Sequence, residues 1–320
     1  MELAKVLGLG PSGSAFVATY RNAIGVDSSR RYFKACGEAV PVETPLVDRR
    51  YIVDTVRRYK FYSWRREVGE VAYSRARWHI VEKAQWIESM RRGGASGEGG
   101  WDILVKAGGP YQSVGEKIIV ARAYVEGRRL EDETAYFVFP EAGVGFYWVF
   151  PHGGVLNVGG GFLGVSNPVP YVLKFVEEWL GGGRVVDVRG APLTVRPTIL
   201  LHDGEGFRIG EAAGLVYPLT GEGIRPGILS ALALASALKT KRPLETYRRQ
   251  LEGIIRQIEF QKRLLGLAQR LAGGGNLLEL TDDSVLREYI EENLSAKALF
   301  AAVAKKPLEG ARLVAAILRK

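Results

Sequence analysis

Ala4-Lys5-Val6-Leu7-Gly8-Leu9-Gly10-Pro11-Ser12-Gly13 reads as a short apolar strand running into a GxGxxG turn, and Ser14–Asn22 behind it has helical character. The first glycine permits the tight turn, the second lets a pyrophosphate approach the backbone, and the third lets helix and strand pack closely. The helix N-terminus adds free N–H groups and a partial positive charge. Ile24–Val26 is a second apolar run, and Asp27 ends it nineteen positions beyond Gly8. A carboxylate there is placed to accept hydrogen bonds from an adenosine ribose and argues against a 2′-phosphate. The alternative is an accidental glycine-rich turn; strand, helix and acid in this order favour a dinucleotide cradle.

Outward from this cradle, residues 28–60 read as irregular and Arg-rich, broken by Pro41 and Pro45, and Glu82–Arg92 as a helix. Asp102–Lys106, Lys117–Tyr124, Thr134–Phe139, Phe146–Phe150 and Val155–Val158 read as strands separated by Gly, Pro or charged turns. Pro170–Leu180 is an amphipathic helix, Phe207–Gly210 a last buried strand, and the chain beyond Pro243 is helical. The spacing predicts an α/β protein.

A second glycine-rich constellation returns late in the chain. Gly210-Glu211-Ala212-Ala213-Gly214 and Pro218-Leu219-Thr220-Gly221-Glu222-Gly223-Ile224 lead into a small-residue helix, 224–238. A strand, a glycine turn and a helix N-terminus make another anion or dipole site, with room for backbone to touch a flat ligand. Taken by itself, the same stretch reads equally as a loop before a buried helix.

The GLGPSG turn, the lone CGEA at Cys36–Ala39 and GEAAG…PLTGEGI together resemble flavoproteins of the glutathione-reductase/hydroxybenzoate-hydroxylase superfamily. Between them, Phe146-Tyr147-Trp148-Val149-Phe150-Pro151-His152, followed by Val158-Gly159-Gly160-Gly161, resembles the YxWxFP…VGxG signature of the geranylgeranyl reductase family. The likeness covers about residues 1–240 and implies an α/β fold whose Rossmann-like FAD-binding domain (1–118 and 186–240) is interrupted by an antiparallel β-sheet substrate domain (119–185) and followed by a C-terminal helical region (241–320). Four positions depart from the family: Phe146 stands for tyrosine, Glu211 for the aspartate of GDAAG, Lys83 for a helix arginine, and Lys106 for an aspartate before AxG.

The resemblance implies bound FAD held by Gly8, Gly10, Pro11, Ser12, Gly13, Ser14, Asp27, Gly37, Lys83, Gly210, Glu211, Gly221, Gly223 and Ile224. It implies an isoprenoid substrate against Phe146, Trp148, Phe150, Pro151 and Gly159, with Cys36 near the reacting ring as a candidate catalytic thiol. The activity implied is saturation of C=C bonds in geranylgeranyl chains, as in archaeal membrane-lipid synthesis. A flavin monooxygenase or halogenase on the same fold, or a non-catalytic prenyl-lipid or dinucleotide binder, are the alternatives. Strand alternation puts Phe146, Trp148 and Phe150 on one face and Tyr147 on the other. Tyr147 and Phe162 also have the character of slot walls, and His152 could reach a phosphate or solvent. Cys36 reads equally as a small buried hydrophobe. The electron donor, ferredoxin or NAD(P)H, is left open.

Composition narrows the field. The 320 residues carry 44 Lys+Arg against 35 Asp+Glu, a net charge of +9, yet the charges are interspersed and no nucleic-acid motif appears. Few Asn, Gln, Cys and Met beside many Arg, Glu and Lys suit a thermophile. One cysteine excludes an intramolecular disulfide, and no clustered Cys or His supports a metal. No signal peptide is read at the start, so a cytoplasmic location is expected. The apolar run Ile228–Leu238 is far short of the roughly 20 residues that span a bilayer. Basic residues among apolar ones in 296–320 admit peripheral contact with an anionic membrane surface; a docked terminal helix is the competing reading.

Overall fold

Short parallel strands and long antiparallel ones sort into separate sheets along this chain. The computed structural model describes residues 2–29, 31–91, 100–271, 278 and 281–306. The chain opens with β1 (Ala4–Leu7), α1 (Pro11–Thr19) and β2 (Ala23–Val26), the predicted strand, turn, helix and strand. The helix starts earlier than expected, because Pro11 occupies the first turn, where a missing N–H costs nothing.

Residues 28–60 are more regular than the sequence suggests: they contain β3 (Ala39–Pro41), β4 (Ile52–Val56) and the start of β5 (Arg58–Ser63). Next come β6 (Arg66–Ala72), β7 (Trp78–Val81), α2 (Lys83–Arg91) and β8 (Ile103–Lys106). The middle of the chain is β9 (Gly115–Glu126), β10 (Thr134–Phe139), β11 (Gly145–His152), β12 (Val155–Phe162), α3 (Val169–Glu178) and β13 (Arg184–Pro197). After β14 (Phe207–Arg208) the described chain is helical: α4 (Ile224–Ala237), α5 (Pro243–Gln250), α6 (Glu252–Leu271), α7 (Asp283–Ile290) and α8 (Ala296–Lys305).

The parallel sheet has the order β14-β8-β1-β2, so strands from both ends of the expected discontinuous domain pair side by side. Its core gathers Val6, Phe16, Val105, Ile209, Ile228 and Leu234. The apolar run Ile228–Leu238 falls largely within α4, inside this core, and among the described residues no helix is long and apolar enough to cross a membrane.

The large sheet has the order β13-β9-β12-β11-β10-β5-β6 and is antiparallel except where β10 meets β5. The span 119–185 supplies most of β9 and all of β10 to β12; β5, β6 and all but the first two residues of β13 lie outside it and complete the sheet. A third sheet, β3-β7-β4, comes from the stretch between β2 and β8, with β5 and β6 of the large sheet inserted between β4 and β7. One face of the large sheet carries Tyr147, Val149 and Val158 against the apolar stripe Val172, Phe175 and Val176 of α3, with Tyr147 and Phe175 stacked at 4.2 Å. The other face carries Phe61, Phe137, Trp148 and Phe150, partly covered by Leu286 and Ile290 of α7. The fold is thus a Rossmann-like α/β unit interrupted by an antiparallel sheet and closed by C-terminal helices.

Candidate active site

A cavity of about 2090 Å³ lies where these parts meet. Ordinary small-molecule sites occupy roughly 300–1,000 Å³, so this one has room for a dinucleotide together with a second, elongated ligand.

At one end stands the first glycine turn. Gly8 has φ +98°, and a Cβ on Gly13 would lie 1.9 Å from the Gly8 carbonyl oxygen, so strand and helix touch backbone to backbone. Gly8, Gly10, Pro11 and Ser12 line the cavity, and α1 begins without a side-chain cap, leaving its first N–H groups available to an anion. Gly13 and Ser14 sit beneath this rim: Ser14 Oγ donates to the Leu9 carbonyl at 2.8 Å. Asp27 lines the cavity and already braces the turn, accepting from Leu9 N at 2.6 Å and Ser29 N at 2.9 Å beside Arg91 at 3.0 Å.

The second glycine turn arrives at the same place. A Cβ on Gly210 would lie 2.4 Å from Ser12 Oγ, and Gly227 of α4 packs on the same serine. Gly210 is therefore a packing contact between the halves, its N–H donating to Ser230 Oγ at 2.8 Å. Glu211, Gly221, Gly223 and Ile224 line the cavity, and at the start of α4 the Arg225 N–H is taken by Glu222 Oε1 at 2.7 Å. One uncapped helix N-terminus and two glycine turns facing one cavity fit a pyrophosphate-bearing dinucleotide.

The charged departures are accommodated by this chain's own residues. Glu211 pairs with Lys34 at 2.6 Å and accepts the buried Thr194 N–H at 2.8 Å. Lys106 lies off the cavity between Asp203 at 2.7 Å and Glu205 at 2.6 Å. Lys83 is buried in the cavity wall, donating to the Lys34 carbonyl at 2.6 Å and Cys36 Sγ at 2.7 Å. Burial works against the Lys83 ammonium, but Cys36, Tyr32 and Glu38 around it more than offset this and hold its pKa above the ordinary value.

The aromatic slot follows strand alternation. Phe146, Trp148 and Phe150 line the cavity with Phe61, Trp78 and Phe137. Phe162, expected as a wall, instead packs on Tyr147 at 4.7 Å, on the α3 side, because an even step along β12 falls on the face opposite the slot. Two expected ligand contacts also lie away from the cavity lining. Pro151 belongs to the β11 edge that pairs with Leu156. Gly159 faces the back of Trp148, where a Cβ would come within 2.1 Å of the indole. Trp148 Nε1 then donates to Asn157 Oδ1 at 2.9 Å, and Asn157 Nδ2 donates to the Cys36 carbonyl at 3.1 Å. Gly37 lies against Phe150, where a Cβ would come within 2.5 Å of the ring. The slot and the Cys36 loop are one unit.

His152, expected toward phosphate or solvent, is buried beside Glu38, with Nε2 3.1 Å from the carboxylate. Burial opposes the charge on each, yet their mutual attraction at 3.1 Å wins: His152 is pushed above its ordinary pKa and Glu38 below. Sequence reading also missed Glu38, Lys34, Phe61 and Phe137. For Phe61 the alternation Tyr59, Phe61 between Arg58 and Lys60 was a usable signal; nothing local marks Lys34.

At the C-terminal side the cavity is lined by Leu264, Leu286, Tyr289, Leu299 and Phe300. α8 is docked through Ala298 and Ala302 against Val285 and Leu294. The remainder of the basic run, from 307 onward, lies outside the described residues.

No protein-family model matches the chain. Among curated proteins, it is 32% identical over 190 residues to digeranylgeranylglycerophospholipid reductase 2 of Methanothermobacter thermautotrophicus, covering 51% of this chain and 49% of that protein. It is 27% identical over 202 residues to the digeranylgeranylglycerophospholipid reductase of Thermoplasma acidophilum, covering 55% and 48%. The chain thus spans about half the length of the curated relatives it matches. Among solved structures, a geranylgeranyl bacteriochlorophyll reductase-like protein from Thermoplasma acidophilum superposes with TM-score 0.70 at 18% identity, covering 95% of this chain and 96% of that one. The myxobacterial chondrochloren halogenase, an FAD-dependent halogenase, superposes with TM-score 0.64 at 16% identity, covering 84% and 82%.

Proposed function

We propose that the chain is a diverged member of the geranylgeranyl reductase family, as its likeness to digeranylgeranylglycerophospholipid reductases supports, and that it binds FAD in this cavity and saturates C=C bonds of geranylgeranyl chains on archaeal-type glycerophospholipids. One observation carries this reading: the glycine cradle and the aromatic slot are parts of a single cavity. Gly8, Gly10, Pro11, Ser12 and Asp27 would hold the adenosine diphosphate half, and Gly221, Gly223 and Ile224 the ring end. Bound and reduced, FAD would supply hydride.

The chain's own residues do the rest. An isolated alkene accepts hydride poorly, so it must be held close and dry. Phe146, Trp148, Phe150, Phe61 and Phe137 form an apolar wall that orders an isoprenoid chain and excludes water. The indole is locked by Asn157 rather than free to swing, so the wall is preformed. The uncapped start of α1 presents N–H dipoles that stabilise negative charge at its end of the cavity. Lys83 keeps the Cys36 loop seated.

The test is a visible spectrum of the purified protein, then anaerobic photoreduction and addition of a geranylgeranyl glycerophospholipid. Flavin colour, bleached by light and restored by the lipid with loss of double bonds by mass spectrometry, is expected. Failure to take up FAD overturns the reading. Lipid-independent reoxidation only by oxygen would favour the monooxygenase or halogenase alternative that the halogenase-like fold keeps in view.

A further inference from the structure

The cavity wall contains two carboxyls served by one arginine, Glu292 buried and Glu222 half-buried with one oxygen sealed from solvent. Glu222 belongs to the turn before α4, and Glu292 follows α7 with φ +57°, a left-handed conformation unusual for glutamate. Both line the cavity. Arg225 holds the two together: its backbone N–H donates to Glu222 Oε1 at 2.7 Å and its guanidinium to Glu292 Oε2 at 3.0 Å. Glu222 Oε2 is sealed from solvent and has no hydrogen-bond partner among the described residues, and the Glu292 carboxyl is near enough to act on the Glu222 charge. The other titratable groups facing the pair are Tyr217, ahead of the turn, and Tyr289 on α7, both neutral donors.

Two facing carboxylates in a desolvated site with a single cation repel, and a proton shared between them removes the repulsion and gives Glu222 Oε2 its partner. Burial pushes both carboxyls above the ordinary range, and the proton belongs to the pair rather than to either residue. We propose that Glu222 and Glu292 store one proton at the cavity wall and deliver it to the substrate carbon. This rests on the prenyl-reductase reading. Saturating a C=C bond adds a hydride to one carbon and a proton to its neighbour. The hydride, with both electrons, would be supplied by reduced FAD bound in the cavity. The proton comes from the pair, which is left doubly ionised beside Arg225 until water restores the proton.

Infrared spectroscopy of the apoprotein at neutral pH tests the stored proton without any turnover. The carbonyl stretch of a protonated carboxylic acid is expected in the wild type and is lost in both Glu222→Gln and Glu292→Gln. Its absence from the wild type overturns the proposal. With FAD and a prenyl lipid, wild-type reduction is expected to fall as pH rises through the pair's titration. Both variants are expected to be slower by about a hundredfold and to lack that fall. Variants with wild-type rate and profile overturn the donor role. A wild type that shows the band but reduces no prenyl chain overturns the donor role and the prenyl-reductase reading together, whereas an active wild type without the band overturns this proposal alone.

Discussion

Gly159→Ala tests how the slot is built. The new Cβ would lie 2.1 Å from Trp148 Cζ2 and 2.5 Å from the Ala121 carbonyl oxygen. That carbonyl belongs to β9, whose ladder with β12 runs through the residues on either side, so the backbone cannot yield cheaply. The indole must swing, leaving Asn157, which is wholly buried, without its donor. Overpacking a core costs about 1–3 kcal/mol, and stripping a buried amide of its partner about 1–3 more. Together these predict a loss of about 2–6 kcal/mol, read as a lower urea midpoint at unchanged slope. Gly266→Ala is the control: nothing lies within 4 Å of its Cβ position inside α6, so it is expected to gain up to about 1 kcal/mol. Gly159→Ala unfolding at the wild-type midpoint would refute the claim that this glycine exists to seat Trp148.

Three further outcomes are expected. Gly13→Ala sets a Cβ 1.9 Å from Gly8 O, so strand and helix must part and FAD affinity by spectral titration should fall at least tenfold, a cost of about 1.4 kcal/mol. Glu211→Ala strips the buried Thr194 N–H of its acceptor and Lys34 of its partner, lowering stability by about 1–3 kcal/mol in urea. The Glu38–His152 pair makes stability pH-dependent. His152 is raised, so its contribution is full below the ordinary 6.5 and is lost as pH climbs through its folded pKa; Glu38 is lowered, so its contribution is present above 4.5 and lost as pH falls. Urea midpoints should therefore peak between those values and lose their alkaline slope in His152→Asn; an identical slope in the variant would contradict the pairing.

What the sequence disclosed follows from how local each signal is. Gly8 to Asp27 lies within one β-α-β unit, and its glycine spacing is dictated by backbone contact, so it was legible. The 146/148/150 face was legible because pleating alone decides it. Strand β13 was not: Asp187, Arg189, Gly190 and Pro192 break any alternation, and it is tolerated because it is the edge of its sheet. Glycines 159–161 hid the length of β12, where side chains are absent to admit Trp148 and Val120. The partners of Glu211, Lys106 and His152 were illegible because Lys34, Asp203 and Glu38 are distant in sequence and carry no periodic signature.

The most direct measurement is a crystal structure of the protein grown with FAD. Density for the pyrophosphate at the start of α1, with the ring between the 218–224 turn and the Trp148 face, is predicted. A chain that excludes FAD, or that holds it anywhere other than across both glycine turns, would contradict the account.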